Sequence, residues 1–533
     1  MSTIQTQPAP EMKSNPTRPA VAHLSIAQVL RSNIRNSVMF LVLIVVVLIF
    51  AIWSQGKFIS SYNLNSLIAQ TCVVGVMACG MTLVIIIRHI DLSVGFACGW
   101  LGAVAAVLME SFRIPGLLVI LIVVIIGAAV GLGEGLLIGK VGIPAFVVTL
   151  GLMIIMHGLL LRTTQKNGTI NITDTFFLAL SNGYIPNWFQ IGQMNGPTLV
   201  IGVVGIGLYV VLQLRKRFNL AHNGLAVDPD WWFILKLVLV CGIIGFLVYR
   251  FATFNGISYV LVILGVVVFI VATLQTRTRL GRHVYGVGGN PEAAELSGVD
   301  VAKVTIIVFI IMGALVGLGG VLYASRMMSA TTTAGAGLEL LVIAGCFIGG
   351  CSPAGGIGRV TGSLIGALIM QSLVNGMLLM NIAISYQYIV QGGILVLAVL
   401  FDILSRRISA GSSKKTYAGK SYENDMASDE HDSFYWENRI AELEKKVKDE
   451  KSTRSTGAKA LGLGIVLALV NVVLISGVLG AHFFHIWLII ITVVALIAGV
   501  ALMIMGADQK KVAALQSEID QARVLLSQAR GRE

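Results

Sequence analysis

Charge is scarce in this chain: only 12% of its 533 residues are Asp, Glu, Lys or Arg, where a soluble domain carries about 25%. That shortage excludes an ordinary soluble globular fold. Cysteine is sparse as well. The six residues (Cys72, Cys79, Cys98, Cys241, Cys346, Cys351) lie in or beside apolar segments without metal-ligand spacing, so they read as small hydrophobes and no metal site is implied. A phosphate-binding Gly-x-x-x-x-Gly-Lys-[Ser/Thr] loop is missing. Its nearest fragment, Gly135 to Val141, lacks both the spacing and the hydroxyl, so any ATP hydrolysis must come from another chain. Gly286 to Asn290 is no dinucleotide fingerprint, because no strand precedes it and Pro291 stands where the last glycine should be. With no catalytic constellation and no cofactor motif, the sequence does not describe an enzyme.

What the chain has in excess is apolar length, with 56% hydrophobic residues. Runs of about 17–25 apolar residues suffice to cross a bilayer. Stretches at or near that length recur at 38–53, 198–214, 233–248, 257–273 and 304–323, apolar nearly all round rather than striped. The expected fold is all-α: a polytopic transmembrane bundle of about twelve apolar segments before Arg406, followed by a two-helix membrane hairpin. The formal charge of +12 sits in short loops, at Arg31 and Arg35, 215–217, 277–282 and 406–415. That is the pattern of the positive-inside rule, and it argues for a bilayer rather than nucleic acid as the partner. Following those loops puts both termini in the cytoplasm, 163–195 and 325–337 outside, and 276–303 inside.

Glycine is abundant, at 59 residues. In a membrane it lets helices approach closely and marks broken helices that line cavities. Two interruptions look alike, 90–95 and 349–358, each followed by a Gly/Ala-rich apolar helix, which suggests a diverged internal repeat. Four ionisable groups sit at membrane depth or near helix ends: Asp91, Glu134, His157 and Glu339. A charge there costs several kcal/mol unless paired or hydrated, so each is a functional candidate. Plainer roles compete: Asp91 as a cap for the helix after it, Glu134 facing a hydrated cavity or pairing with Lys140, Glu339 anchoring a broken helix, and His157 as a hydrogen-bonded helix residue. Asp91, Ser93, Glu134 and Glu339 are the expected pathway residues.

The inside segment 276–299 is the most informative. Asn290-Pro291 is a helix start, Glu292 suits the positive end, and Ser297-Gly298 is a stop. A short capped helix between two spans is a lever that a cytoplasmic partner can push.

These residues carry a resemblance. Gly-Asn-Pro-Glu-Ala-Ala at 289–294 with Ser297-Gly298 resembles the ATPase-docking loop of ribose/xylose-type permeases of ABC importers. Ile90-Asp91-Leu92-Ser93-Val94-Gly95 resembles the same family's hallmark, and 336–356 its C-terminal block. The resemblance covers about 35–405, and the extra spans between Trp231 and Thr273 resemble its xylose or multiple-sugar branch. Leu338 and Leu341 depart from the family's usual Tyr and Asp. The resemblance implies a sugar-import permease half in a bacterial inner membrane, with a separate ATPase, an extracytoplasmic sugar-binding protein and a second permease copy as partners. ATPase coupling then falls to Gly281, Arg282, Asn290, Pro291, Glu292, Ala293, Ala294, Ser297 and Gly298. An ion- or proton-coupled transporter using Asp91 and Glu134 is the alternative.

Four regions are expected: a disordered cytoplasmic tail at 1–30, the permease domain at 31–407, a polar linker at 408–433, and at 434–533 two spans flanked by amphipathic helices able to pair antiparallel. Nothing in the resemblance accounts for that last region.

Overall fold

The computed structural model describes residues 26–164, 168–223, 229–400, 437–447, 516–523 and 527. Residues 1–25 of the expected tail, the linker and both spans of the C-terminal hairpin lie outside the described residues, whereas 26–30, expected to be disordered, are the first residues of a helix.

The described residues are helical almost throughout, because a segment in hydrocarbon must satisfy its own backbone hydrogen bonds. In chain order the helices are α1 (Ile26–Trp53), α2 (Ser61–Ile86), α3 (Val94–Glu110), α4 (Gly116–Gly139), α5 (Ala145–Thr164), α6 (Thr175–Asn182), α7 (Gly196–His222), α8 (Asp230–Ala252), α9 (Tyr259–Arg277), α10 (Arg279–Gly289), α11 (Pro291–Leu296), α12 (Val301–Met327), α13 (Leu338–Ile348) and α14 (Val360–Leu379). A further helix, α15, covers Ile384–Leu400. Eight of them (α2, α4, α5, α7, α8, α9, α12 and α14) are long and apolar enough to cross a membrane, and four shorter apolar helices join them. Together they account for the twelve apolar segments expected.

The described residues divide into two compact units, one drawn from 1–32 and 199–249 and the other from 33–198 and 250–533. In the first, α7 and α8 make an antiparallel hairpin. Gly202 lies against Val248 near one end. Toward the other, Arg217 pairs with Asp230 and sits over the Phe233 ring, 4.6 Å from its centre.

In the second unit α2 is the central helix, almost wholly buried among α9, α12, α13 and α14. Three of its polar residues are paired across the interface with α14. Asn63 donates to Asn375 at 2.9 Å, Gln371 donates to Gln70 at 2.8 Å, and the Thr82 and Ser363 hydroxyls are 2.7 Å apart. On the other side α4 runs antiparallel to α12. Glycines 127, 131, 135 and 139 of α4 recur every fourth residue, so they form one face pressed on the α12 backbone. A side chain at Gly135 would meet the Ile306 Cα, and one at Gly139 the Ala302 carbonyl.

Two segments expected on the same membrane face are joined by sheet. Strand β1 (Thr169–Asn171) pairs antiparallel with β4 (Ser329–Thr331), Ile170 opposite Ala330. Between them in sequence, β2 (Gln190–Ile191) and β3 (Met194–Asn195) form a small hairpin. Helix α6, capped by Asp174, docks on the end of α12: Ser181 Oγ donates to the Leu322 carbonyl at 2.7 Å and Asn182 Nδ2 to the Ser325 carbonyl at 2.7 Å. Far along the chain the helices at 437–447 and 516–523 touch. Leu443, Val447 and Ile519 form a small apolar cluster and Arg523 donates to Glu444 at 2.9 Å.

Candidate functional site

Helix α2 ends at Ile86, and α3 begins only at Val94. The residues between turn back into the protein, with Arg88 in the left-handed region at φ 68° and the His89 ring against Phe309 of α12. At the tip of this re-entrant turn Asp91 is 2% exposed. Its Oδ1 accepts both the Ser93 N–H at 2.8 Å and the Ser93 hydroxyl at 2.7 Å. The same hydroxyl oxygen lies 3.0 Å from Oε1 of Glu134, 4% exposed on α4. A hydroxyl has one hydrogen to give. With that hydrogen on Asp91, the Glu134 contact is attractive only if Glu134 supplies a hydrogen of its own. Two buried carboxyl groups therefore hold one turn in place through one serine.

The plainer sequence readings shift accordingly. Asp91 closes the turn ahead of α3 rather than capping a helix at Leu92, and Ser93 is the residue before the first helical turn. Glu134 faces Ser93, not Lys140. His157 stacks on Phe96 with ring centres 4.2 Å apart.

Glu339 meets this region from the other side. It lies in the first turn of α13, whose entry is made by Gly335 and Gly337 at φ 83° and 82°. Its carboxylate lies against Gly95, and any side chain at 95 would also meet the Gly335 carbonyl 2.7 Å away. Glu339 Oε2 is buried without a hydrogen-bond partner among the described residues. The starting ends of α3 and α13 thus converge, and both present the positive end of a helix dipole to that carboxylate. The glycine run 349–358 occupies a different place. It joins α13 to α14 and docks on α2 and α10, with Gly356 N donating to the Ile86 carbonyl at 2.9 Å and Tyr285 Oη to the Gly358 carbonyl at 2.6 Å.

The segment between α9 and α12 carries the second set of expected residues. Thr278 caps α10, accepting from Gly281 N at 3.2 Å. Asn290 caps α11, accepting from Ala293 N at 3.0 Å, with Pro291 in the first turn. Ser297 Oγ returns to the Ala293 carbonyl at 2.8 Å, and Gly298 leaves the helix at φ 83°. Arg282, Asn290, Glu292, Ala293, Ser297 and Gly298 are exposed and Pro291 is half-exposed, whereas Gly281 and Ala294 are buried against the body of the protein. Two features escaped the sequence reading. One is α10 itself, whose signal was the inward spacing of Gly281, Val284, Val287 and Gly288. The other is Leu296, 91% exposed at the end of α11.

Asp91, Ser93 and Glu339 lie at the starts of α3 and α13 and Glu134 reaches them from α4, whereas the coupling candidates lie apart on α10 and α11 ahead of α12, all but Gly281 and Ala294 at least partly exposed. Among the described residues no group of three or more His, Cys, Asp or Glu side chains is placed to hold a metal.

Helices broken in mid-span, packed by glycine and closed on buried carboxyl groups, define a polytopic transport protein rather than a membrane anchor. The chain belongs to the family described as the branched-chain amino acid transport system / permease component, whose model matches residues 63–399. It is similar to the xylose transport system permease protein of Haemophilus influenzae, 35% identical over 376 residues that cover 70% of this chain and 98% of that protein. The Escherichia coli K12 xylose transport system permease protein is 34% identical over 71% of this chain and 94% of its own length. The ribose import permease protein of the same strain is 33% identical over 65% and 87%. No solved structure matches. The chain is thus a multi-pass permease of the inner membrane.

Proposed function

We propose that this chain is the permease half of an ATP-driven importer for a pentose such as xylose, and that two copies enclose the path within the lipid bilayer. Family membership implies a separate ATPase and a substrate-binding protein as partners. In this reading α10 and α11 face the cytoplasm with both chain termini, and the β1–β4 side faces the binding protein. Asp91, Ser93 and Glu134 hold the re-entrant tip beside the path, with Glu339 at the tip of α13.

One observation carries the coupling role. Helix α11 is capped at both ends, stands out from the body, and ends in a leucine that is 91% exposed. A large apolar side chain left bare at the end of a rigid knob suits insertion into a partner's groove. Arg282, Asn290, Glu292, Ala293, Ser297 and Gly298 are exposed as well, Pro291 begins the helix, Ala294 is its buried residue, and Gly281 packs the start of α10 on the Leu274 and Gln275 carbonyls. Sugar import is supported by the similarity to xylose and ribose permeases over nearly all of their length. The regions at 408–433 and 434–533 lie beyond the matched family region and read as a linker and an appended membrane hairpin.

Leu296→Asp and Ala293→Asp change exposed positions, so neither disturbs the core. In the reconstituted transporter both are expected to cut ATP-dependent xylose uptake at least about tenfold, the scale of losing one central interface anchor. Membrane insertion should be unchanged. Normal uptake and normal ATPase binding in both variants would refute docking through α11.

A further inference from the structure

Among the described residues, the connection between the α10–α11 knob and the re-entrant tip runs through one side chain that neither the family match nor the sequence motifs single out. Arg88 follows the end of α2 and begins the turn that carries Asp91 and Ser93. Its Nε donates to the Gly288 carbonyl at 2.8 Å, and its Nη2 donates to the Gly289 carbonyl. Those are the last two carbonyls of α10, left without partners inside their own helix. A guanidinium is the side chain best suited to hold two such groups at once, and its charge complements the negative end of the helix.

The backbone around Arg88 tightens the same link. The Ile86 carbonyl accepts from Gly356 N at 2.9 Å, and Gly288 lies against that carbonyl so closely that no side chain fits. Arg88 itself is held at φ 68°, a conformation that glycine adopts freely and a long side chain does not. If the turn needed only its shape, glycine would serve better there. The positive φ persists with an arginine, so the turn keeps a cost that the guanidinium contact offsets.

We propose that Arg88 transmits movement of the docking knob to the re-entrant tip, as a positioning residue for transport. When the ATPase moves α11, α10 moves with it across the single residue Asn290. The fork on Gly288 and Gly289 then pulls on residue 88, three residues from Asp91 and five from Ser93. The tip of α3 shifts against Glu134 and Gly335, where the helix starts converge. This inference rests on the docking reading of α11.

The test is the number of xylose molecules imported per ATP hydrolysed by the complete transporter in proteoliposomes, for Arg88→Gln, Arg88→Lys and Arg88→Gly. Arg88→Gly suits the backbone at this position and guards against a variant that merely fails to fold. The Gln and Gly variants are expected to retain the bound ATPase and its hydrolysis, while the ratio falls at least about tenfold, the scale of one lost charge-assisted hydrogen bond. Arg88→Lys, which keeps the charge but cannot span two carbonyls, should fall between. An Arg88→Gly transporter with a normal ratio overturns the proposal. So does loss of the ATPase from the complex, which would make Arg88 a docking contact. A normal ratio in Arg88→Gln beside a low ratio in Leu296→Asp removes Arg88 alone. The reverse pattern removes docking through α11, and the transmission route with it.

Discussion

Glu134 is flanked by Gly133 and Gly135, and the two glycines make opposite predictions. A Cβ at Gly135 would lie 2.7 Å from the Ile306 Cα, whereas ordinary contact begins at 3.4 Å. The obstacle is backbone, so α4 and α12 must part by roughly 0.7 Å along the glycine face, or α4 must rotate. Overpacking of this kind costs about 1–3 kcal/mol. A Cβ at Gly133 meets nothing within 4 Å, so Gly133→Ala adds only helix propensity, about 0.5–1 kcal/mol in the stabilising direction. Unfolding of the purified protein in mild detergent, titrated with a denaturing detergent, should separate the two alanine variants by about 2 kcal/mol or more. Gly135→Ala should also lose uptake, because the parting of α4 draws Glu134 away from Ser93. Variants equal in stability within about 0.5 kcal/mol would refute the close approach of α4 and α12.

Substitutions at Glu134 test the hydrogen count at the re-entrant tip. Glu134→Gln can still donate to the Ser93 oxygen and is expected to keep stability and uptake near normal. Glu134→Ala leaves a buried hydroxyl poorly satisfied and should cost about 1–3 kcal/mol, seen as a lower melting temperature. Equal damage from both would show that the site needs an anion. At the other end of the chain, Leu443→Asp puts a charge into the apolar cluster with Val447 and Ile519. Tryptic cleavage near Lys445 and Lys446 should accelerate while the melting of the permease spans is unchanged, and cleavage at the normal rate would refute pairing of those two helices.

Much of the architecture was legible in the residues because the signals are local. Apolar runs located the long helices, since a span must be both long and uninterrupted. Asn290-Pro291 and Ser297-Gly298 bounded α11 to within one residue, since caps act on the neighbouring backbone alone. Asp91, Ser93, Glu134 and Glu339 stood out because polar side chains among apolar ones are rare. Tertiary structure decided the rest. Ser93 and Glu134 lie 41 residues apart and Arg88 and Gly288 lie 200 apart, and no local pattern joins either pair. Nor does the apolar pattern say where a helix sits. Helix α2 is nearly enclosed by protein and the apolar stretch of α8 has no buried residue, yet both are long and apolar enough to cross a membrane. Lipid chains are as apolar as leucine, so the contrast that marks an inward face in a water-soluble protein is absent here. What ranks the helices instead is close fit, through glycines and a few buried hydrogen bonds, and that appears only once the chain is folded.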